Sequence, residues 1–241
     1  MQLIYKSIIC HFFYPEIGAD LLRKLMLIAD ANTRFFINIQ GDSKEHRALY
    51  KNVRNNLNNA YVLTTPNKGR DIGAKLMLMD LLFRLDFPSD YTLIIHDKKS
   101  PHLENGDYWR EELFKIIDPK YISQVFETFE KERAGIVGSV KYIQNEYDAS
   151  GTFACNCNDK IKELLKKYNI QTSNYDFVAG NIFWIRTDLL KSFFIERPIL
   201  QIRSDLESGN ALDFSNGTYI HSWERLMSWI ATSQGYSIYG I

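Results

Sequence analysis

The chain has no excess of charge of either sign: Lys and Arg number 29, Asp and Glu number 29, and the formal net charge is +0 at pH 7. That balance excludes the general basic surface on which non-specific nucleic-acid binding depends, so any positive site must be local. Cysteine is scarce and odd in number, at Cys10, Cys155 and Cys157. Such a set fits a reducing compartment better than a disulfide framework, and one Cys-x-Cys pair without a nearby second pair falls short of a zinc site. Ordinary thiols are expected. No apolar run approaches the ~18 residues of a spanning helix, and Met1 to Phe13 lacks the basic-then-apolar layout of a signal peptide. These absences point to a cytoplasmic protein, at most peripherally associated with the inner face of a membrane. No repeat, low-complexity segment or linker divides the chain, and it ends abruptly at Ile241, as though further residues followed.

What is present is a chain of 241 residues with 45% apolar composition, enough for one substantial α/β domain. Ser7 to Phe13 is a short β-leaning apolar run, ended by Tyr14-Pro15 before Ile17 to Ala29, where Leu21, Leu22, Leu25 and Ile28 recur at helical spacing. Arg34 to Gln40 and Ala60 to Thr64 read as further strands, with a polar helix between them ending near Asn56. Ile72, Leu76, Met79 and Phe83 describe one helical face over Asp71 to Leu85, with Asp71 as the expected N-cap, and Tyr91 to Ile95 is the fourth strand. Strands alternating with helices predict βαβ units and a mostly parallel central sheet flanked by helices. The second half is less regular. Helices are expected over Trp109 to Ile117, Ile122 to Lys131, Asp159 to Tyr168, Thr187 to Phe194 and His221 to Ala231, and strands at Gly135 to Val140, Phe177 to Ile185 and Tyr236 to Tyr239. The polar stretch Asn145 to Asn158 reads as a mobile loop, and Ile199 to Gly217 as another.

In open parallel sheets, ligands bind beyond the carboxyl ends of the strands, where loops converge and helix N-termini point at the crevice. Three polar loops fall at that edge: Gly41-Asp42-Ser43, Asn67 to Asp71, and His96 to His102. The stretch Asn67-Lys68-Gly69-Arg70-Asp71-Ile72-Gly73 leads into a helix and suits a phosphate or nucleotide; its plainer reading is a capping Asp with a loop Arg beside it. It is not a P-loop, because Gly69 to Lys75 gives G-x-x-x-G-x-K. If the fourth strand keeps its alternation, His96, Lys98 and Ser100 share one face while Asp97 and Lys99 share the other. Each lysine within ~4 Å of a phosphate contributes on the order of 4 kcal/mol of attraction at an effective dielectric near 20. The plainer reading is a solvated loop with Asp97 paired to a lysine. On the last helix, Trp223, Leu226, Met227 and Ile230 form an apolar face, and His221, Glu224, Arg225 and Ser228 a polar one. His221 and Glu224, one turn apart, make a usable acid/base or ligand pair, though such residues are also ordinary on helix surfaces. In Asp107-Tyr108-Trp109-Arg110 an aromatic for stacking lies beside a guanidinium, or a helix start is simply buried by its Trp.

Several of these pieces occur together elsewhere. Tyr14-Pro15, Asn67-x-Gly69-Arg70-Asp71-Ile72-Gly73, His96-x-Lys98-Lys99-Ser100-Pro101-His102, Trp109-Arg110, Gly180 with Phe183-Trp184, and His221 with Glu224-Arg225-Leu226 follow in order over nearly the whole chain. In this the chain resembles the rhamnan synthesis protein F family. The resemblance implies a bacterial glycosyltransferase of surface-polysaccharide assembly (rhamnan, O-antigen or capsule type). Its donor would be a nucleotide-diphosphate sugar, dTDP- or UDP-linked, and its acceptor a saccharide or lipid-linked saccharide. It also implies a GT-A-like nucleotide-diphosphosugar transferase fold in a single domain, with residues 1–102 as the nucleotide-sugar half and 103–241 as the acceptor half. In such folds an Asp-x-Asp motif at the fourth strand tip holds a metal on the diphosphate; here His96-Asp97-Lys98-Lys99 stands in its place.

Under that resemblance the residues take roles. Asn67, Gly69, Arg70 and Asp71 seat the nucleotide, and His96, Lys98, Lys99, Ser100 and His102 hold the diphosphate. Glu224 is the base for the acceptor hydroxyl, with His221 adjusting it. Trp109, Arg110, Gly180, Trp184 and Arg225 form the acceptor or sugar side. A metal, Mn2+ or Mg2+, would fall to Asp97 and His221. The competing expectation is a non-catalytic saccharide-binding or assembly module of the same fold, which the missing Asp-x-Asp motif favours. A kinase-like nucleotide enzyme is weaker still, since no phosphate loop is complete.

Overall fold

β1 (Lys6–Phe12) is buried along its whole length, as an apolar strand covered on both faces should be. It leads into α1 (Pro15–Leu27), where Pro15 opens the helix with its φ already suited to it. β2 (Thr33–Ile39), α2 (Lys44–Asn56, capped by Ser43), β3 (Ala60–Leu63), α3 (Arg70–Leu85) and β4 (Tyr91–His96) complete the expected βαβ succession. Then come α4 (Gly106–Leu113) with a 3-10 turn behind it, α5 (Ile122–Phe129), β5 (Ala134–Gly138), β6 (Ile143–Asn145), α6 (Asn158–Lys167) and β7 (Asp176–Val178). β8 (Phe183–Arg186), α7 (Thr187–Phe194), α8 (Ile199–Asp205), α9 (Tyr219–Thr232) and β9 (Ser237–Gly240) follow. These elements come from a computed structural model that describes residues 3–99, 106–131, 133–147, 149–155, 157–212 and 217–241.

The seven-stranded sheet has the order β3-β2-β1-β4-β8-β5-β9. Its strands are parallel except β8, which is antiparallel to both neighbours. Alternation along the strands divides the core in two. Ile9, Phe36 and Ile94 pack with α3 and α9, and Ile8, Phe35 and Leu93 with α1, α2 and α5. Both clusters draw on the first and second halves of the chain. Because α1 and α2 cover one face and α3 the other, the winding reverses between β1 and β4. A crevice opens at the carboxyl ends of those two strands.

Four expectations about this framework are corrected. Phe177 to Ile185 is not one strand: Gly180 (φ 87) and Asn181 (φ 53) adopt left-handed backbone, so β7 pairs with β6 in a separate two-stranded sheet while β8 enters the large one. The segment from Ile199 begins with a helix, α8, because Pro198 sits at its N-cap and Ile199 and Ile202 bury one turn apart. The stretch after Asn145 is anchored through Phe153, which packs with Tyr147, Tyr175 and Trp229. Cys155 and Cys157 are joined as a disulfide, not left as thiols, since the turn before α6 sets their Cα atoms 5.2 Å apart. Cys10 is free and buried. Among the described residues no helix is long and apolar enough to cross a membrane.

Candidate functional site

The loop before α3 is shaped by glycine. Gly69 (φ 79) and Arg70 (φ 50) are both left-handed, and Gly69, not Asp71, is the N-cap. A Cβ on Gly73 would lie 1.8 Å from the Lys68 carbonyl oxygen, so only glycine lets the helix start press against the loop. A second segment straps this loop down. Gly69 N–H donates to the Glu207 carbonyl (2.8 Å), Gly209 N–H to the Asn67 carbonyl (2.8 Å), and the Asn67 side chain to Asn210 (2.9 Å). The Glu207 carboxylate in turn accepts from Tyr219 and Ile220 N–H at the start of α9, at 2.7 and 3.1 Å. Glu207 therefore ties the loop before α3 to the helix that carries His221 and Glu224, a role that no local motif announces.

Beneath the crevice runs a buried polar row. Asn38, His11 and His96 are register partners on β2, β1 and β4. Thr65 donates to Asn38 (3.1 Å), and the Asn38 amide meets His11 Nδ1 at 3.0 Å. Lys75, on the sheet-facing side of α3 and 0% exposed, donates to Asp71 Oδ2 at 2.8 Å, His96 Nδ1 at 2.9 Å and the Asn181 carbonyl at 3.0 Å. Burial works against the Asp71 carboxylate, but the Lys75 ammonium and the neighbouring histidines together outweigh it and hold its pKa well below the ordinary range. Burial and Lys75 together push His96 well below its usual value, so the ring is neutral. The structure thus corrects one expectation, since Asp71 is an inward ion-pair partner rather than a cap, and it leaves His96 uncharged. Lys75, His11, Asn38 and Asn181 escaped the sequence reading. A lysine four residues after Asp71 on the apolar face of a helix was the available signal.

Burial, with the Lys75 charge adding to it, lowers the His11 pKa to about 4 against the opposing pull of Asp71. A depressed histidine stabilises the fold fully above its unfolded pKa near 6.5 and loses that contribution as pH falls toward 4. The shift corresponds to about 3 kcal/mol. In urea titrations across this window, wild type should therefore lose about 3 kcal/mol more than His11→Gln, which keeps an acceptor for Asn38 but cannot titrate. Parallel stability profiles for the two proteins would contradict the assignment.

The tip of β4 sends its side chains in alternate directions, as expected. Asp97 turns toward α1, where its Oδ2 accepts Phe13 N–H (2.7 Å) and Tyr14 N–H (2.5 Å), pinning the β1–α1 turn. Burial raises its pKa well above the carboxylate range despite these two donors, and Oδ1 is buried without a partner among the described residues. Lys99 follows Asp97: it lies over Tyr14 and bonds Glu16 at 3.1 Å, away from Lys98. Lys98 turns the other way. Its ammonium lies 4.2 Å from the centre of the Trp109 ring, beside Gly180, where an added Cβ would sit 3.7 Å from Nζ. Burial lowers the Lys98 pKa, and the nearby Glu224 carboxylate opposes that change. Arg110 supports the same turn, bonding the Lys98 carbonyl at 3.4 Å and Asp107 at 3.0 Å.

On α9, Thr218 caps the helix at His221 N–H, and its hydroxyl also meets the His221 ring. Arg225 pairs with Glu224 at 3.3 Å and with the buried Glu146 at 3.0 Å, and Glu146 also accepts Cys155 N–H at 2.7 Å. The structure therefore gathers Trp109 and Gly180 at Lys98, with Glu224 and Arg70 near enough for their charges to act on it. It removes others. Trp184 is 0% exposed, packed on the α5 side with its indole N–H on the Ile116 carbonyl at 3.0 Å, so it meets no sugar. Arg225 is already engaged by two carboxylates and the His221 carbonyl. Ser100 and His102 lie outside the described residues.

The donor set does not fit a divalent cation. Asp97 is directed at the Phe13–Tyr14 turn, His221 is held by Thr218, and Lys75 and Lys98 bring positive charge to the same crevice. Among the described residues no group of three or more His, Cys, Asp or Glu side chains could hold a metal.

Comparison with known proteins finds matches over nearly the whole chain. Two curated relatives, both named uncharacterized protein WxcX and from two strains of Xanthomonas campestris pv. campestris, are each 24% identical over 238 residues. The matches cover 96% of this chain and 32% of each relative, so the chain spans about a third of their length. The description rhamnan synthesis protein F belongs to the family model that matches residues 4–236, and the chain is therefore a member of the rhamnan synthesis protein F family.

Proposed function

We propose that this chain is a GT-A-like glycosyltransferase domain that moves a sugar from a nucleotide-diphosphate donor, dTDP- or UDP-linked, to a saccharide or lipid-linked acceptor of a cell-surface polysaccharide. The observation that carries the reading is Lys98: an ammonium seated on the Trp109 ring, next to the backbone of Gly180 and within the field of Glu224. A cation placed where a diphosphate leaving group gains charge favours the transition state over the ground state. Glu224 across from it is the base for the acceptor hydroxyl, and the Trp109 ring is a platform for a sugar. Arg70 meets the nucleotide at the start of α3. The part up to residue 102 serves the donor and the remainder the acceptor, at the inner face of the membrane where lipid-linked acceptors reside.

A second reading, a saccharide-binding or assembly module without catalysis, is favoured by one observation: Glu224 is already paired with Arg225. A thermal-shift screen of nucleotide sugars, with and without manganese, addresses both. At about 100 times its Kd a donor stabilises the fold by roughly 2.7 kcal/mol, which for a chain of this size raises Tm by about 5–10 °C. The expected result is a rise with a UDP- or dTDP-sugar that manganese does not enlarge. Stabilisation by saccharides alone, with no response to any nucleotide, would establish the binding module instead.

A further inference from the structure

An ammonium has three protons to give and no lone pair to offer. The three protons of Lys75 are matched by three acceptors: Asp71 Oδ2, the Asn181 carbonyl and His96 Nδ1. His96 Nδ1 must therefore be unprotonated, which leaves the ring proton on Nε2. A second proton on Nδ1 would face the ammonium at 2.9 Å, donor against donor. The neighbouring strand repeats the arrangement: Asn38, whose carbonyl oxygen is occupied by Thr65, turns its amide N–H toward His11 Nδ1 at 3.0 Å. Two imidazoles in register at the switch point are thus held in the same orientation from below.

His96 has the wider outlet, at 8% exposure against 2% for His11. Its side chain keeps 10% of its surface, its Nε2 is not among the buried unpartnered atoms, and it has no partner among the described residues beyond Lys75 and Asp71. We propose that Lys75 is a positioning residue that locks His96 as an uncharged Nε2–H donor, and that His96 gives this hydrogen bond to a phosphate oxygen of the nucleotide donor. The inference rests on the sugar-transfer reading above and adds to it. Lys98 supplies charge in the crevice, whereas His96 supplies direction. Because the charge of Lys75 is met by Asp71, the donor strengthens with the growing negative charge of the leaving group without a proton being passed to it.

The test is nitrogen-15 NMR of histidine-labelled protein at neutral pH, read through two-bond correlations to the ring protons. In wild type, His96 is expected to show a protonated Nε2 and an acceptor-type Nδ1, and UDP should move the Nε2 signal. Lys75→Met should lose this single-tautomer pattern. If that variant does not fold, Lys75→Met with Asp71→Asn removes both charges and should lose it as well. His96→Phe should weaken UDP binding roughly 10- to 100-fold. A proton on Nδ1 in wild type, or an unchanged tautomer in the Lys75 variants, overturns the inference. UDP binding that leaves the His96 signal unmoved also overturns it while the proposed function stands. Failure of wild type to bind any nucleotide removes the proposed function and the donor role together.

Discussion

Replacing Lys75 by methionine is expected to destabilise the fold by about 3–5 kcal/mol, the range for stripping one partner from a buried ion pair. Methionine fills most of the same space, so the loss is electrostatic rather than a cavity. Asp71 would keep a carboxylate in a site with 13% side-chain exposure, and the Asn181 carbonyl and His96 Nδ1 would lose their donor. Against a total stability of about 5–15 kcal/mol typical of natural domains, that is a large share. Urea unfolding of wild type, Lys75→Met, Asp71→Asn and the double variant forms a cycle. The double variant should recover part of the loss, with a coupling on the order of 1–3 kcal/mol for residues in one network. A Lys75→Met protein within about 0.5 kcal/mol of wild type, the scatter of ordinary surface substitutions, would mean that this network does not support the sheet edge.

Glu224→Gln is expected to lower kcat by roughly 10²- to 10⁴-fold, the usual contribution of a positioned general base. The substitution keeps the shape of the side chain and an oxygen for Arg225, which also retains its bond to Glu146. Stability and donor KM should therefore change little, because the diphosphate is held from the Lys98 side. A loss confined to kcat is the signature of a group acting in the transition state. Full activity in Glu224→Gln would remove it from the reaction, and loss of folding would instead show that Glu224 mainly serves Arg225.

Much of this architecture can be read locally. Apolar runs such as Ile8 to Phe12 and the helical spacing of Ile72, Leu76 and Met79 place β1, α3 and the βαβ succession within a residue or two, since period and turn chemistry are properties of neighbouring residues. The opposed directions of Lys98 and Lys99 follow from the same alternation. Two tryptophans show where such reading stops. Trp109 and Trp184 each stand beside charged or apolar neighbours in the sequence, yet one carries Lys98 at the crevice while the other is sealed against Phe126 and the Ile116 carbonyl. Nothing local distinguishes them, because burial depends on which element folds over the ring.

Local residue patterns are enough for the parallel βαβ half, the charged tip after β4, the helix bearing His221 and Glu224, and, through the order of the motifs, the family. The tertiary structure alone decided that Asp71 faces inward, that Asp97 serves the β1–α1 turn, that His96 is neutral, and that Glu207 joins the α3 loop to α9. Apart from the Asp71–Lys75 contact one turn along α3, these depend on partners distant in the chain: Lys75 reaches Asn181 across 106 residues, and Asp97 reaches Phe13 across 84. The charge and tautomer of a buried group are set by its desolvation and by the donors packed against it. Both exist only after the sheet has closed over them.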